Sequence, residues 1–284
     1  TKDGGRYQNE WQNEDSQMDG LVALCATIGK LRTISLRDCP LGPASAVELD
    51  KVSRHADAAL ASINCLANKF GEEGLSTLLA SIKDTSVHSL CGLIEGQTVA
   101  DFSGQNLGPI DCKIMAAEFA FQGSIAVVAR ISVLSNPIGV EGAAALIEVY
   151  EKNPQIRTLL GIEEGVTEVN FSEKNVDVGQ TMVLAAELRA GRVTAAVREV
   201  VLSENILLGN CSVQSQEEYD AHGDNMPCEY EGFNSLCESL KPLAITRLDL
   251  SNCRLDASAT TSLAGAIKVM AVVARISVLS NPIG

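Results

Sequence analysis

The sequence predicts an α/β solenoid, a horseshoe with parallel strands on its concave face and helices on its convex face, and three observations carry that prediction. The stretch AVVARISVLSNPIG occurs twice, at 126–139 and 271–284, and the offset of 145 residues equals five periods of 29. One frame keeps returning along the rest of the chain: apolar-xx-apolar-x-apolar-xx-Asn-x-apolar, anchored on Val128, Ile131, Val133, Asn136 and Ile138. After the frame the apolar spacing changes to four, as in Gly74, Leu78 and Ile82 or Gly142, Leu146 and Tyr150, which is the stripe of one helix face. The alternating core of the frame reads as a short strand buried on one side. Neither element can bury its apolar side alone, so successive strand and helix units must stack into a continuous core.

Residues 1–19 form a polar, acidic tail. Gly20, Leu21, Leu24 and Ile28 then read as the helix of an incomplete unit, so the solenoid is expected over 20–284. The first two full frames are Leu31, Ile34, Leu36, Cys39 and Leu41, then Leu60, Ile63, Cys65, Asn68 and Phe70. Ala100, Phe102, Gln105 and Leu107 make a looser third, followed by the anchor copy at Val128. Val166, Val169, Phe171, Lys174 and Val176 come next, and then Val197, Val200, Leu202, Asn205 and Leu207. Ile245, Leu248, Leu250, Cys253 and Leu255 precede the last frame, Val273, Ile276, Val278, Asn281 and Ile283, which makes about eight units. The Asn position lies where the chain leaves the strand, and a buried amide there can satisfy backbone groups of the turn. Cysteine is expected to fit that position less well. Gln105 and Lys174 depart from it, and each is followed by an asparagine, Asn106 and Asn175, which a one-residue bulge would bring into place.

Three insertions break the period. Ser89–Gln97 and Thr158–Val166 match each other, lie 69 residues apart just before a strand, and are expected to project from the same rim. The third, at 208–232, follows its strand and is expected at the opposite rim.

The frame LxxLxLxxNxL followed by a Gly-containing helix resembles the leucine-rich repeat family of the ribonuclease-inhibitor type, over roughly residues 20–284. Isoleucine and valine replace many of the leucines. The resemblance implies a horseshoe that binds other proteins. Some GTPase-activating proteins share this repeat class, so a regulator of a small GTPase is the alternative function, by analogy of fold alone. Ile283 is followed directly by Gly284, before the helix of its unit, and the chain is therefore expected either to continue or to be covered there by a partner.

Lys and Arg number 22 against 36 Asp and Glu, a formal charge of −14, which argues against nucleic-acid binding. No apolar run reaches the roughly 18 residues of a membrane span, since Arg130, Lys268 and Arg275 interrupt the candidates. Residues 1–20 hold two basic and five acidic side chains, and 208–232 hold six acidic and no basic ones. Most of the acidity therefore belongs to the tail and to one loop. Nine cysteines, an odd number set mostly in apolar patterns, suggest a reduced, intracellular chain of cytoplasmic type.

The strand positions that alternate with the buried ones would line the concave face. Arg37, Leu66, Arg130, Leu134, Val201, Arg247 and Asp249 are the expected partner contacts, the arginines because they anchor interfaces well. Glu217, Glu218, Asp220 and Asp224 in the acidic loop are expected to steer a basic partner. That loop also holds Cys211, His222 and Cys228 at spacings that match no closed zinc site, so a plain loop is expected, with a metal site or a Cys211–Cys228 disulfide as alternatives. Phosphate-loop, dinucleotide, nucleophile-elbow and zinc-hydrolase motifs are missing, so no catalytic residue, metal or cofactor is expected. The sequence thus reads as a non-catalytic interaction or scaffold protein, a possible subunit of a larger assembly.

Overall fold

The computed structural model describes residues 14–28, 30–55, 59–83, 85–120, 127–209 and 228–283, and within them all eight expected strands form, each three residues long. The chain divides into two compact units, residues 1–93 and 94–284.

In the first unit, α1 (Met18–Ile28), β1 (Thr33–Ser35), α2 (Pro43–Ser53), β2 (Ser62–Asn64) and α3 (Gly71–Ser81) follow in order. β1 and β2 pair in parallel with Ile34 opposite Ile63, so that the central apolar residue of each frame points to one side. Leu36, Leu49, Leu60, Ile63, Phe70 and Leu78 are buried between strands and helices. Pro43 opens α2, where a missing N–H costs nothing and the fixed φ suits the helix. Its cap comes from far away in sequence: the Asp15 carboxylate accepts the N–H groups of Gly42, Ala44 and Ser45 at 2.9, 2.9 and 3.0 Å. Asp15, within the polar stretch 1–19, thus serves as the cap of α2.

The second unit runs β3 (Val99–Asp101), α4 (Pro109–Ala120), β4 (Arg130–Ser132), α5 (Gly139–Lys152), β5 (Glu168–Asn170), α6 (Val178–Ala190), β6 (Glu199–Val201), α7 (Glu231–Leu240), β7 (Arg247–Asp249), α8 (Ala257–Ile267) and β8 (Arg275–Ser277). β3 pairs with β4, and β5 to β8 form a four-stranded sheet in sequence order, all parallel. Asp177 and Asp256 cap α6 and α8, accepting from Gln180 and Ala259 at 2.7 and 2.9 Å. Asp177 also takes the Gly139 N–H at the start of α5, 2.8 Å away, and so ties two neighbouring helices together. Gly191, at φ 64°, ends α6 in the left-handed conformation that a residue without Cβ adopts most easily. No helix among the described residues is long and apolar enough to cross a membrane.

The expected amide at the turn does what its position demands. Asn136 Oδ1 accepts from Gln105 and Leu107 N–H at 2.9 and 3.0 Å, while Nδ2 donates to Phe102 and Val133 carbonyls at 2.8 and 2.9 Å. Asn68 and Asn281 repeat the arrangement against Cys39 and Leu41 and against Cys253 and Leu255. Each asparagine thus stitches its own turn to the turn of the preceding repeat. Cys253 keeps part of the role, its thiol donating to the Leu202 carbonyl at 3.1 Å. The expected bulge at Asn106 and Asn175 is a correction: both are exposed, at φ 57° and 51°, so they relax the turn as left-handed residues and supply no buried amide.

The two matching insertions begin as additions to the sheets: Ser89 and Cys91 bridge to Ser62 and Asn64 of β2, and Thr158 and Leu160 bridge to Arg130 and Ser132 of β4. Ile131 N–H donates to Thr158 O at 3.0 Å, Val133 N–H to Leu159 O at 2.9 Å, and Gly161 N–H to Ile131 O at 2.8 Å. Each insertion is long enough to lay one extra rung beside the preceding strand before turning into the next. The physical reason is that the edge of β4 has donors and acceptors to satisfy, and the nearest chain is the insertion.

Candidate partner-binding surface

The register of β5 to β8 sets side chains in rows across the sheet. Glu168, Glu199, Arg247 and Arg275 form one row, and Asn170, Val201, Asp249 and Ser277 the next. The first row is acidic on β5 and β6 and basic on β7 and β8. Where the halves meet, Arg247 Nη1 lies 3.2 Å from Glu199 Oε2, and Nη2 lies 3.6 Å from Asp249 Oδ2. These charges are partly exposed, so the contacts fix direction more than they add stability.

The strand ends share a local device. Asp101, Asn170 and Asp249 each accept the N–H and the hydroxyl of the serine two residues on, Ser103, Ser172 and Ser251. These hydrogen bonds from Ser103, with the charge of Arg130 on the neighbouring strand, hold the Asp101 carboxyl below its ordinary range. The exit of the strand is therefore preset, and Ser251 Oγ goes on to meet Ser277 Oγ at 2.6 Å.

Of the expected contacts, Arg37 is exposed in the first unit, and Arg130, Leu134, Arg247 and Asp249 are half-buried in the second. Arg130 Nη1 pairs with Glu163 Oε1 at 2.9 Å, an acid supplied by the turn after the extra rung. Leu66 and Val201 lie elsewhere than expected: they are 0% and 5% exposed and belong to the core. Leu66 lies directly after β2, where the Ser89–Cys91 rung builds the sheet outward past the expected edge. Val201 is on an inner strand, β6, flanked by Asn170 of β5 and Asp249 of β7. Glu217, Glu218, Asp220 and Asp224, with Cys211 and His222, lie outside the described residues.

Sequence reasoning missed the rung itself and what it covers. Gly161, at φ 72°, sits over Ser132, where a Cβ would come within 3.0 Å of the serine Cβ. The glycine in both insertions, Gly92 and Gly161, was the available signal, since a residue without a side chain marks close approach to another backbone. Among the described residues, no three His, Cys, Asp or Glu side chains are placed to hold a metal. Seven described cysteines are free thiols, and burial pushes those of Cys237 and Cys253 up to about 12. Cys228 is disulfide-bonded, which departs from the expectation of a fully reduced chain.

Comparison with known proteins finds no family model that matches the chain and no similar curated protein.

Proposed function

We propose that the chain is a non-catalytic interaction protein, a leucine-rich-repeat-like horseshoe that binds or scaffolds a protein partner through its strand face. One observation carries this reading: parallel strands in register present rows of partly exposed side chains whose turns are locked from below by asparagines, Asn136 and Asn205 buried and Asn281 half-buried. A surface whose backbone is already fixed loses little conformational freedom on binding, which is what recognition by many small contacts requires. Arg130, Arg247 and Asp249 are its polar anchors, with Leu134 as the apolar contact beside them and Arg37 on the first unit. The partner is a protein rather than a nucleic acid, because the face mixes both signs of charge and the chain is acidic overall. Membership of a larger assembly follows the same reasoning. The seven free thiols among the described residues fit a reducing, intracellular location.

Affinity capture of the wild-type chain from its native cell, compared with Arg130→Glu/Arg247→Glu, tests the reading. Retention of a defined partner by the wild type and its loss by at least tenfold from the folded double variant is expected. Equal recovery on both would remove the strand face as the binding site.

A further inference from the structure

The stretch 126–139 recurs letter for letter at 271–284, and on one side its two strands are bonded alike. Ala129 and Arg130 N–H donate to the Thr98 carbonyl at 3.0 and 3.2 Å, and Ala274 and Arg275 N–H donate to the Thr246 carbonyl at 2.9 and 3.0 Å. The Ser132 and Leu134 carbonyls accept from Phe102 and Gly104 N–H, just as those of Ser277 and Leu279 accept from Leu250 and Asn252 N–H. Ser135 and Ser280 make the same left-handed turn, at φ 61° and 57°. β8 is thus a second β4, held by its preceding strand in the same way.

The far sides differ. On β4 the rung takes every outward backbone group. The Ala129 carbonyl accepts Arg157 N–H at 2.7 Å and the Ile131 carbonyl accepts Gly161 N–H at 2.8 Å, while Ile131 and Val133 N–H donate to Thr158 and Leu159 carbonyls at 3.0 and 2.9 Å. Glu163, just beyond the rung, pairs with Arg130. On β8 the corresponding groups are the carbonyls of Ala274 and Ile276 and the N–H groups of Ile276 and Val278, and no described residue meets them. Arg275, the counterpart of Arg130, is exposed and has no ion pair among the described residues. Val128, Ile131, Val133 and Ile138 are buried, whereas Val273, Ile276 and Val278 are half-buried and Ile283 is 42% exposed.

We propose that the outer edge of β8 is a docking site for an extended segment of a partner protein with the chemistry of residues 157–163. The same sequence in β4 shows what such an edge accepts. The segment starts parallel to the strand, as Thr158 does beside Arg130, and satisfies the four backbone groups of Ala274, Ile276 and Val278. It carries apolar residues where the buried Leu159 and Leu160 stand, and an acid where Glu163 stands, to meet Arg275. A glycine must lie over Ser277, because Gly161, at φ 72°, leaves room for only 3.0 Å between an added Cβ and that of Ser132. The chain's own two rungs are already seated on β2 and β4, so the occupant belongs to a different protein. This contact runs through main chain at one edge and is separate from the side-chain rows of the strand face.

A fluorescent peptide of residues 155–165, QIRTLLGIEEG, titrated into the 284-residue chain and followed by anisotropy tests the site. Saturable one-to-one binding is expected. Arg275→Glu, an exposed change, should weaken it about three- to tenfold, and a peptide carrying Glu163→Lys should restore the loss in that variant. A peptide carrying Gly161→Val should bind about tenfold more weakly or worse, since its side chain meets Ser277. Amide exchange read residue by residue by NMR places the peptide on the wild-type chain without any substitution. Ile276 and Val278 N–H should slow about fivefold or more on binding, with Ile131 and Val133 unchanged. Absence of saturable binding, equal binding of the Gly161→Val peptide, or slowing that spares Ile276 and Val278 would each overturn the docking site.

Discussion

Asn136 shows how much structural work a single side chain can perform. Its amide meets two N–H groups and two carbonyls, drawn from its own turn and from that of the repeat before. Replacing it by alanine leaves those groups without partners in a site only 1% exposed. Each such group costs about 1–3 kcal/mol when buried unsatisfied, less where water or a small shift restores a contact. Asn136→Ala should therefore lower stability by about 2–4 kcal/mol in urea denaturation, and a loss below about 0.5 kcal/mol would show that the ladder is decorative. The amide was legible in the sequence because it recurs at one place in a frame. Glu187 on α6 was not: it is fully buried and accepts the Leu159 and Leu160 N–H groups of the rung, yet in sequence a buried acid on a helix looks like any solvated one.

At the scale of elements, the close spacing of α5 and α6 rests on Gly179. A Cβ there would lie 2.2 Å from the Gly139 carbonyl oxygen and 2.9 Å from Ile138 Cγ1, so the helices can approach only because the side chain is absent. Gly179→Ala should cost about 3 kcal/mol through forced displacement of backbone. Gly265→Ala, in α8 with no atom within 4 Å of the added group, should instead gain about 0.5–1 kcal/mol from helix propensity. Equal effects of the two changes in parallel denaturation curves would refute the packing account. All eight strands were legible here, since a period-two core flanked by turn residues has few other solutions. The rungs were not, because Ser89-Leu-Cys-Gly and Thr158-Leu-Leu-Gly carry too few alternating residues to announce a strand, and only the unsatisfied edge of the neighbour selects that conformation.

At the scale of the molecule, repeated units give the protein a surface built by addition. Each strand contributes a few side chains, each asparagine fixes one turn to the next, and the rows across β5–β8 result from register rather than from any single loop. Four of the seven expected contacts fall on the strands and turns of the second unit as partly exposed groups, whereas Leu66 and Val201 are core: a frame read from one strand does not show what a neighbouring insertion covers at Leu66, or what the flanking strands cover at Val201. The most direct measurement is a hydrogen-exchange and cross-linking footprint of the chain with its captured partner. Protection and cross-links are expected at Arg130, Leu134, Arg247 and Asp249, with the helix positions Lys113, Glu148 and Lys152 unchanged. A footprint confined to those helix positions, with the strand rows as free as in the isolated chain, would contradict binding through the strand face.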